Sequence, residues 1–350
     1  MNTTVFFATN RIRSGDGSKA SDYAGEAGPA GMPGKVTHAM GFVEGTDLAT
    51  LQSGRLASIQ GVNEDDFGDA VQQDLTSGRN LLIFLHGFAN SFTDSITRAA
   101  FNREFLAASG VTAADCSVVS FSWPSRGITV DPNDIIGGLL MGPLTLALKL
   151  IGITASPLAN AYFDDQAAAK ASAADIVSFL DRLRPAITKV HRRGGRVFLL
   201  AHSMGNWVME NALGKWAAMG LPRTMLFDEA ISAAADSPFE ESGVGPAWLV
   251  PLGKLSGRVS IYHSAGDDIL RLSQVVNNTQ RLGRSGPVDR TNLTRYPKER
   301  FRFVDCANLI DDGPGKTLDS SHQFYRRIPG VRDDMARIMA GKGAGGRVVL

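Results

Sequence analysis

A short run near residue 200 constrains the fold of this chain more than any other feature. The segment 196–200 has the apolar composition of a buried strand, the segment 201–205 reads AHSMG, and a helix-like stretch follows at 206–216. A strand, a sharp turn and a helix in this order raise the turn serine, here Ser203, above the edge of a sheet. Small residues must flank the serine because the strand and helix backbones nearly touch there. The run therefore predicts that Ser203 is a nucleophile, with a plain turn serine as the alternative.

The rest of the chain alternates between strand-like and helix-like segments. Continuous apolar runs such as 81–85 are typical of strands that are buried on both faces of a parallel sheet. The alternation predicts an α/β fold with a doubly wound, mostly parallel sheet. The predicted strands are 5–8, 36–43, 81–85, 117–122, 196–200, 224–231, 258–262 and 301–304, and the predicted helices are 94–108, 163–183 and 206–216.

The length of the chain favours one large domain. The sequence has 350 residues, of which 43% are hydrophobic, and this is enough to bury a sizeable single core. We therefore expect a single domain over residues 1–350. The glycine-rich segment near the end predicts a flexible tail at 341–350.

Charge and motif content exclude several classes of function. A net charge of +1 provides no field that would attract nucleic acid or an acidic membrane. The chain lacks a G-x-x-x-x-G-K-[ST] phosphate loop, a G-x-G-x-x-G after its first strand, a C-x-x-C and an H-E-x-x-H. We therefore expect no nucleotide cofactor, no metal and no nucleic-acid partner. Cys116 and Cys306 are expected to be buried thiols, with one disulfide between them as the alternative. The first residues lack the pattern of a signal peptide, so the default expectation is a cytoplasmic protein.

One histidine is placed in the sequence where it could serve Ser203 as a base. A serine nucleophile needs an imidazole to take its proton and a carboxylate to orient that imidazole. Where the nucleophile is a strand–turn–helix serine of this kind, the three catalytic residues occur along the chain in the order serine, acid, histidine. Four of the six histidines precede Ser203, and His263 lies at the end of a predicted strand. The remaining His322, in a polar loop, is predicted to be the base, with a surface histidine as the alternative.

The carboxylate partner is predicted at the end of the strand that precedes His322 by about sixty residues. The segment 263–268 reads HSAGDD, a small-residue turn with two carboxylates at the edge where ligands gather in open α/β sheets. We favour Asp267 because it comes first after the turn and Ile269 can anchor the loop in the core. Asp268 would then point away and cap the following turn. Asp236 is a third candidate, although its position favours an N-cap.

Two backbone amides are predicted to stabilise the negative charge that develops on a substrate carbonyl oxygen. Such an oxyanion hole draws one N–H from the residue after the nucleophile and one from the loop after an earlier strand. In this chain these residues are Met204 and Phe88. Gly87 allows the second loop to approach Ser203 closely, and His86 is expected to be a structural hydrogen-bonding group rather than a base.

An apolar insertion interrupts the alternation of strands and helices. We assign it to residues 128–161, and its stretch 135–153 carries a single charge, Lys149. The stretch approaches the ~20 residues that span a bilayer, but its glycines and Pro143 disfavour a span. We interpret the insertion as a lid over the site, with a buried core helix as the alternative and no stable membrane insertion expected. The residues predicted to contact the substrate are Leu139, Leu140, Met141, Leu144, Leu146 and Leu148.

Short motifs along most of the chain carry a resemblance to a known family. They are the segments 7–11 (FATNR), 86–92 (HGFANSF), 121–127 (FSWPSRG), 201–206 (AHSMGN), 264–267 (SAGD) and 321–325 (SHQFY). Together they resemble the α/β-hydrolase superfamily and, within it, the bacterial esterase/lipase-like hydrolases known as DUF900. The resemblance implies the triad Ser203, Asp267 and His322. Ala201 in place of the usual glycine and the insertion after Gly127 depart from the family pattern.

These features predict the class of reaction. We expect a serine hydrolase that cleaves small-molecule carboxylic esters through an acyl-enzyme intermediate. One alternative is thioester cleavage, amide cleavage or acyl transfer by the same triad. The other alternative is a catalytically silent binding protein on the same fold.

Overall fold

The protein is built on one mixed sheet. The computed structural model describes residues 1–25, 32–75, 80–126, 157–220 and 224–350. The strands of these ranges are β1 (Thr3–Thr9), β2 (Thr37–Glu44), β3 (Arg55–Val62), β4 (Asn80–Leu85), β5 (Cys116–Ser122), β6 (Val197–His202), β7 (Phe227–Ala233), β8 (Ser256–His263), β9 (Phe301–Asp305) and β10 (Gly346–Val349). They stand in the order β10-β9-β8-β7-β6-β4-β5-β1-β2-β3. Neighbouring strands pair in parallel except at β1–β2 and β2–β3, which are antiparallel.

Helices connect the parallel strands. They are α1 (Phe67–Asp74), α2 (Phe92–Ala107), α3 (Pro157–Ala171), α4 (Ala173–Arg192), α5 (Met204–Met219), α6 (Leu249–Leu255), α7 (Asp268–Asn277), α8 (Leu282–Ser285) and α9 (Pro329–Met339). Helix α2 begins with a capping box, in which Ser91 Oγ accepts from the Asp94 amide at 3.1 Å and the Asp94 carboxylate accepts from the Ser91 amide at 3.2 Å. These reciprocal bonds satisfy amide groups that have no acceptor within the helix.

The sheet separates two hydrophobic cores. Leu81, Ile83 and Leu85 of β4 belong to one core, and Leu82 and Phe84 of the same strand belong to the other. Successive side chains of a strand point to opposite faces, so a run that is apolar throughout can fill both cores. Helices α1, α4 and α5 contribute to the first core, and α2 and α9 contribute to the second. The predicted α/β class with a doubly wound, mostly parallel sheet is confirmed.

The two strands at the opposite edges of the sheet were not predicted. β3 has the mixed pattern RLASIQGV and is largely exposed, so it lacks the apolar run of a buried strand. Within the segment 341–350, for which a flexible tail was expected, Gly346–Val349 form β10 and pair in parallel with β9. The free edge of β9 offers backbone donors and acceptors, and β-branched Val348 and Val349 suit a strand.

The predicted helix 163–183 is two helices in the structure. α3 ends at Ala171 and α4 begins at Ala173, with Ser172 between them. Ser172 Oγ donates to the Ala168 carbonyl at 2.8 Å and accepts from Asn10 Nδ2 at 3.0 Å. A serine that bonds back to the carbonyl four residues earlier commonly bends a helix.

Most of the insertion lies outside the described residues, and so do all six residues that were predicted to contact the substrate. Its final part, from Pro157 onwards, belongs to α3. Within the described ranges, the structure contains no helix that is both long and apolar enough to cross a membrane.

The carboxyl ends of the parallel strands bring the predicted site together. Ser203 follows β6 and Asp267 follows β8, while the loop with Phe88 follows β4. These strands run in the same direction, so their carboxyl ends lie along one edge of the sheet. His322 reaches this edge from the loop between β9 and α9.

Candidate active site

Ser203 occupies a strained turn between β6 and α5. Its backbone angles are φ 54° and ψ −125°, a region that residues with a side chain rarely adopt. Such a conformation costs about 1–3 kcal/mol and persists only where the surroundings enforce it. The Ser203 amide donates to the Ala233 carbonyl of β7 at 3.0 Å, and the Ser203 carbonyl accepts from the Asp236 amide at 3.1 Å. The end of β7 and the segment directly after it therefore hold the serine in this turn.

Two glycines allow the backbone to approach this turn closely. A Cβ on Gly205 would lie 2.4 Å from the Leu85 carbonyl oxygen, and a Cβ on Gly87 would lie 2.7 Å from Cβ of Ser203. Both distances are shorter than van der Waals contact allows. The steric requirement that the sequence predicted for Gly205 is therefore present in the structure, and the 87–88 loop lies directly against the serine.

Asn206 is a residue of this turn to which the sequence analysis gave no role. Its side-chain amide donates to the carbonyls of Ala201 at 3.0 Å and Ser203 at 3.2 Å. A buried asparagine that bonds to both sides of a turn fixes the turn's shape without taking part in chemistry. The sequence carried one signal of it, since Asn206 belongs to the AHSMGN motif.

His322 and Asp267 form a buried hydrogen-bonded pair. The distance between His322 Nδ1 and Asp267 Oδ2 is 2.7 Å, and the two residues are 4% and 0% exposed. Asp267 Oδ1 accepts from the Leu270 amide at 2.9 Å and thereby caps α7. Among the described residues, the carboxylate that contacts His322 is therefore that of Asp267, the acid favoured from the sequence.

A second set of contacts fixes the loop that carries His322. The Asp268 amide donates to Ser321 Oγ at 3.1 Å, which joins this loop to the loop after β8. The ring of His202, the residue before Ser203, lies 4.7 Å from the His322 ring and stacks on Tyr325 at 4.5 Å. His202 Nε2 lies 3.3 Å from the His322 carbonyl, which can only accept, so this nitrogen carries the proton. The His322 ring is thus placed beside the strand end that bears the serine.

The electrostatic environment favours protonation of His322. Burial would lower the pKa of His322, but the charge of Asp267 and its hydrogen bond outweigh burial and raise that pKa above the ordinary 6.5. Burial lowers the pKa of His86 to about 3, so the His86 ring is neutral at neutral pH. His86 stacks on Trp123 at 5.0 Å, and its carbonyl accepts from Trp123 Nε1 at 2.9 Å. These contacts agree with a structural role for His86.

The two predicted oxyanion-hole amides lie on the elements that adjoin Ser203. Met204 is the first residue of α5, a position whose amide has no acceptor within the helix. Phe88 lies in the loop after β4, where Asn90 Nδ2 donates to the carbonyls of Gly87 at 3.0 Å and Phe88 at 2.8 Å. The loop 87–90, which we name the oxyanion loop after this prediction, is therefore held in shape by its own Asn90 side chain.

Asp236 takes a different role from the N-cap that its sequence position favoured. Its carboxylate forms an ion pair with Arg281 at 2.9 Å and accepts from Tyr162 Oη at 2.9 Å, and both charged side chains are buried. Ser273 Oγ also donates to it. No helix follows Asp236 directly, so the N-cap interpretation is wrong. The third candidate acid is thus committed to a buried ion pair.

Within the described residues there is no group of three His, Cys, Asp or Glu side chains that could hold a metal ion. Cys116 and Cys306 are not bonded to each other, and both are buried.

The sheet topology and the serine at the strand–helix turn define the class of this protein as an α/β hydrolase. Over residues 62–326 the chain matches the family described as an alpha/beta hydrolase of unknown function, DUF900, and the chain belongs to that family. This confirms the resemblance seen in the sequence. No curated protein and no solved structure matches the chain.

Proposed function

We propose that the protein is a serine hydrolase that cleaves carboxylic esters of small molecules, with Ser203 as nucleophile, His322 as base and Asp267 as the orienting acid. One observation carries the proposal: the His322 ring is fixed by the 2.7 Å contact between its Nδ1 and Asp267, beside the strained turn that presents Ser203. A structural serine gains nothing from such strain, whereas a nucleophile at a sheet edge depends on it.

The tautomer of His322 determines the first step. An ionised Asp267 can only accept, so the proton lies on Nδ1 and Nε2 keeps its lone pair. In the proposed reaction, Nε2 takes the proton of Ser203 Oγ as that oxygen forms a bond to the ester carbonyl carbon. The carbonyl π electrons move to the oxygen, and the amides of Phe88 and Met204 donate to the resulting oxyanion.

The tetrahedral intermediate then breaks down to an acyl-enzyme and a free alcohol. The bond from carbon to the alkoxy oxygen breaks, and the protonated His322 gives its proton to the leaving alcohol. Water attacks the acyl-enzyme while His322 takes a proton from it. A second collapse releases the carboxylic acid and returns the proton to Ser203 Oγ, so that no oxidant, reductant or metal is consumed.

Hydrolysis of p-nitrophenyl esters of graded acyl length by the full chain tests the proposal. Ser203→Ala should lower kcat by a factor on the order of 10⁴ or more while the fold is retained. Ser232→Ala is the matched control, because Ser232 is a buried serine of β7 whose hydroxyl bonds to nothing among the described residues. Full activity of Ser203→Ala would refute the proposal. If activity instead depends on Ser203, competition between ester, thioester and amide substrates establishes which acyl bond the wild type prefers.

A further inference from the structure

Helix α3 places a buried carboxylate between the two loops that flank the oxyanion hole. Asp165 is 1% exposed. Its Oδ1 accepts from the Arg126 amide at 2.8 Å, and its Oδ2 accepts from Ser125 Oγ at 2.5 Å and from the Ala89 amide at a longer 3.5 Å. Asp165 therefore ties α3 to the loop after β5 and to the oxyanion loop at the same time.

The backbone of the oxyanion loop requires such support. Ala89 has φ 57°, a left-handed conformation that an alanine adopts at a cost. Strained residues persist only where surrounding contacts over-determine them. The Ala89 amide faces Asp165, and the adjoining Asn90 amide donates to Ser125 Oγ at 3.3 Å. The loop that bears Phe88 thus receives its outer contacts from Asp165 directly and through Ser125.

A cation holds the same loop from another direction. Arg11 is 1% exposed, and its guanidinium donates to the Asn90 carbonyl at 2.8 Å and to the Ser125 carbonyl at 3.0 Å. The carboxylate of Asp165 accepts from the Ala89 and Arg126 amides, whereas the guanidinium of Arg11 donates to the Asn90 and Ser125 carbonyls. The anion thus binds backbone N–H groups and the cation binds backbone carbonyls, and together they hold the loop in place.

Helix α3 also contacts the loop side chains near the serine. The ring of Tyr162, one turn before Asp165, meets the Phe88 ring edge to face with centroids 5.5 Å apart. The Tyr162 hydroxyl donates to Asp236, whose amide in turn donates to the Ser203 carbonyl. The same face of α3 therefore reaches both the oxyanion loop and the serine turn.

We propose that Asp165 is a positioning residue, which holds the Phe88 amide at the distance from Ser203 that oxyanion stabilisation requires. This inference rests on the proposed hydrolase function. Asp165 takes no part in proton transfer and acts through the loop. Burial raises the pKa of Asp165 to about 7, although its three hydrogen bonds oppose the rise. Burying a carboxylate is costly, but both of its oxygens accept, so it can accept from donors on two loops at once, whereas an amide side chain has a single acceptor oxygen.

Asp165→Asn tests the inference, because it keeps the shape of the side chain and replaces one acceptor oxygen by a donor. That donor faces either the Arg126 amide or the Ser125 and Ala89 donors, so the loop must shift. Asp164→Asn is the matched control, since the neighbouring Asp164 is about half exposed and pairs with the Arg126 guanidinium on the surface. We expect Asp165→Asn to lower kcat by about 10- to 100-fold, as small displacements of catalytic groups do. KM should change by less than about threefold, because uniform substrate binding is not affected.

The rate of inactivation by a fluorophosphonate is the second readout. Phosphonylation of Ser203 places an oxygen in the same hole, so its rate constant should fall in parallel with kcat. Both rates are expressed per labelled Ser203. A purely structural defect would reduce the number of labelled sites and leave the rate per site unchanged, and this result would overturn the inference. An unchanged kcat per site in Asp165→Asn would overturn it as well.

Ser125→Ala decides the question if Asp165→Asn does not fold. It removes the hydroxyl that donates to Asp165 and accepts from the Asn90 amide. We expect kcat per labelled site to fall, but by less than in Asp165→Asn. A rate equal to that of Asp164→Asn would contradict the inference. Failure of the underlying hydrolase proposal looks different, because the wild type itself would then neither turn over esters nor label at Ser203.

Discussion

His322 Nδ1 lies 2.7 Å from Asp267 Oδ2, although the two residues are 55 positions apart in the sequence. The second carboxylate oxygen of Asp267 is held by the Leu270 amide, so the carboxylate cannot rotate away from the imidazole. This arrangement fixes both the tautomer and the direction of the His322 ring. The function proposed above depends on this pair and on the serine turn beside it.

Asp267→Asn should lower kcat by about 10³- to 10⁴-fold, because the amide would present a donor to Nδ1 and favour the wrong tautomer. The asparagine oxygen can still accept from Leu270, so stability should change little. Asp268→Asn is the control, since the contact of Asp268 with the His322 loop comes from its backbone amide. Steady-state kinetics of the two variants check this. Equal activities would mean that Asp267 does not orient the base.

The pH dependence of kcat/KM should report the ionisation of His322. Burial lowers its pKa, but the Asp267 charge and hydrogen bond raise it further, so the net value lies above 6.5. The neutral imidazole is the active base, so kcat/KM should rise with pH and reach half its plateau above pH 6.5. Asp267→Asn removes the raising interaction and should move this midpoint to lower pH. A midpoint that stays in place would contradict the assignment of His322.

Gly87→Ala should affect catalysis more than stability. Its Cβ would lie 2.7 Å from Cβ of Ser203, so the oxyanion loop would be pushed away from the nucleophile. Displacing one oxyanion donor costs a factor of about 10²–10³ in kcat. Kinetics and thermal unfolding of the same preparation separate the two effects. If kcat is unchanged, the loop does not supply an oxyanion donor.

Replacement of two glycines of α5 by alanine should change the free energy of unfolding in opposite directions. A Cβ on Gly205 would lie 2.4 Å from the Leu85 carbonyl oxygen, whereas a Cβ on Gly214 would meet nothing within 4 Å. We expect Gly205→Ala to lower the free energy of unfolding by about 1–3 kcal/mol or more. Gly214→Ala should raise it by about 0.5–1 kcal/mol, since alanine favours a helix interior. Urea denaturation measures both, and a stabilised Gly205→Ala would show that the close approach of strand and helix is absent.

The sequence was most informative where a local pattern sets the structure. The serine turn needs small residues and an apolar strand within about ten positions, so it could be recognised directly. The approach of Asp267 to His322 could be predicted only through the chain order that this kind of site imposes. Edge strand β10 was missed because its pairing depends on β9, about forty residues earlier, and a glycine-rich stretch gave no sign of it.

The residues that brace the site were missed for a similar reason. Asp165 lies in an alanine-rich helix beside Asp164, and the sequence gives no means to tell the buried carboxylate from the exposed one. Its bond to Ala89 spans 76 positions. Arg11 was seen only as part of a family motif, since its contacts to Asn90 and Ser125 join three separate segments. Such long-range polar contacts follow from the assembled fold and have no local signature.

Fluorophosphonate labelling of the full chain, followed by peptide mass spectrometry, tests the central claim most directly. The account predicts one phosphonyl adduct per chain, located on Ser203, and its absence in Ser203→Ala. His322→Ala should slow labelling strongly, because Ser203 Oγ would have lost its base. A wild-type protein that stays unlabelled, or an adduct that persists in Ser203→Ala, would contradict the account.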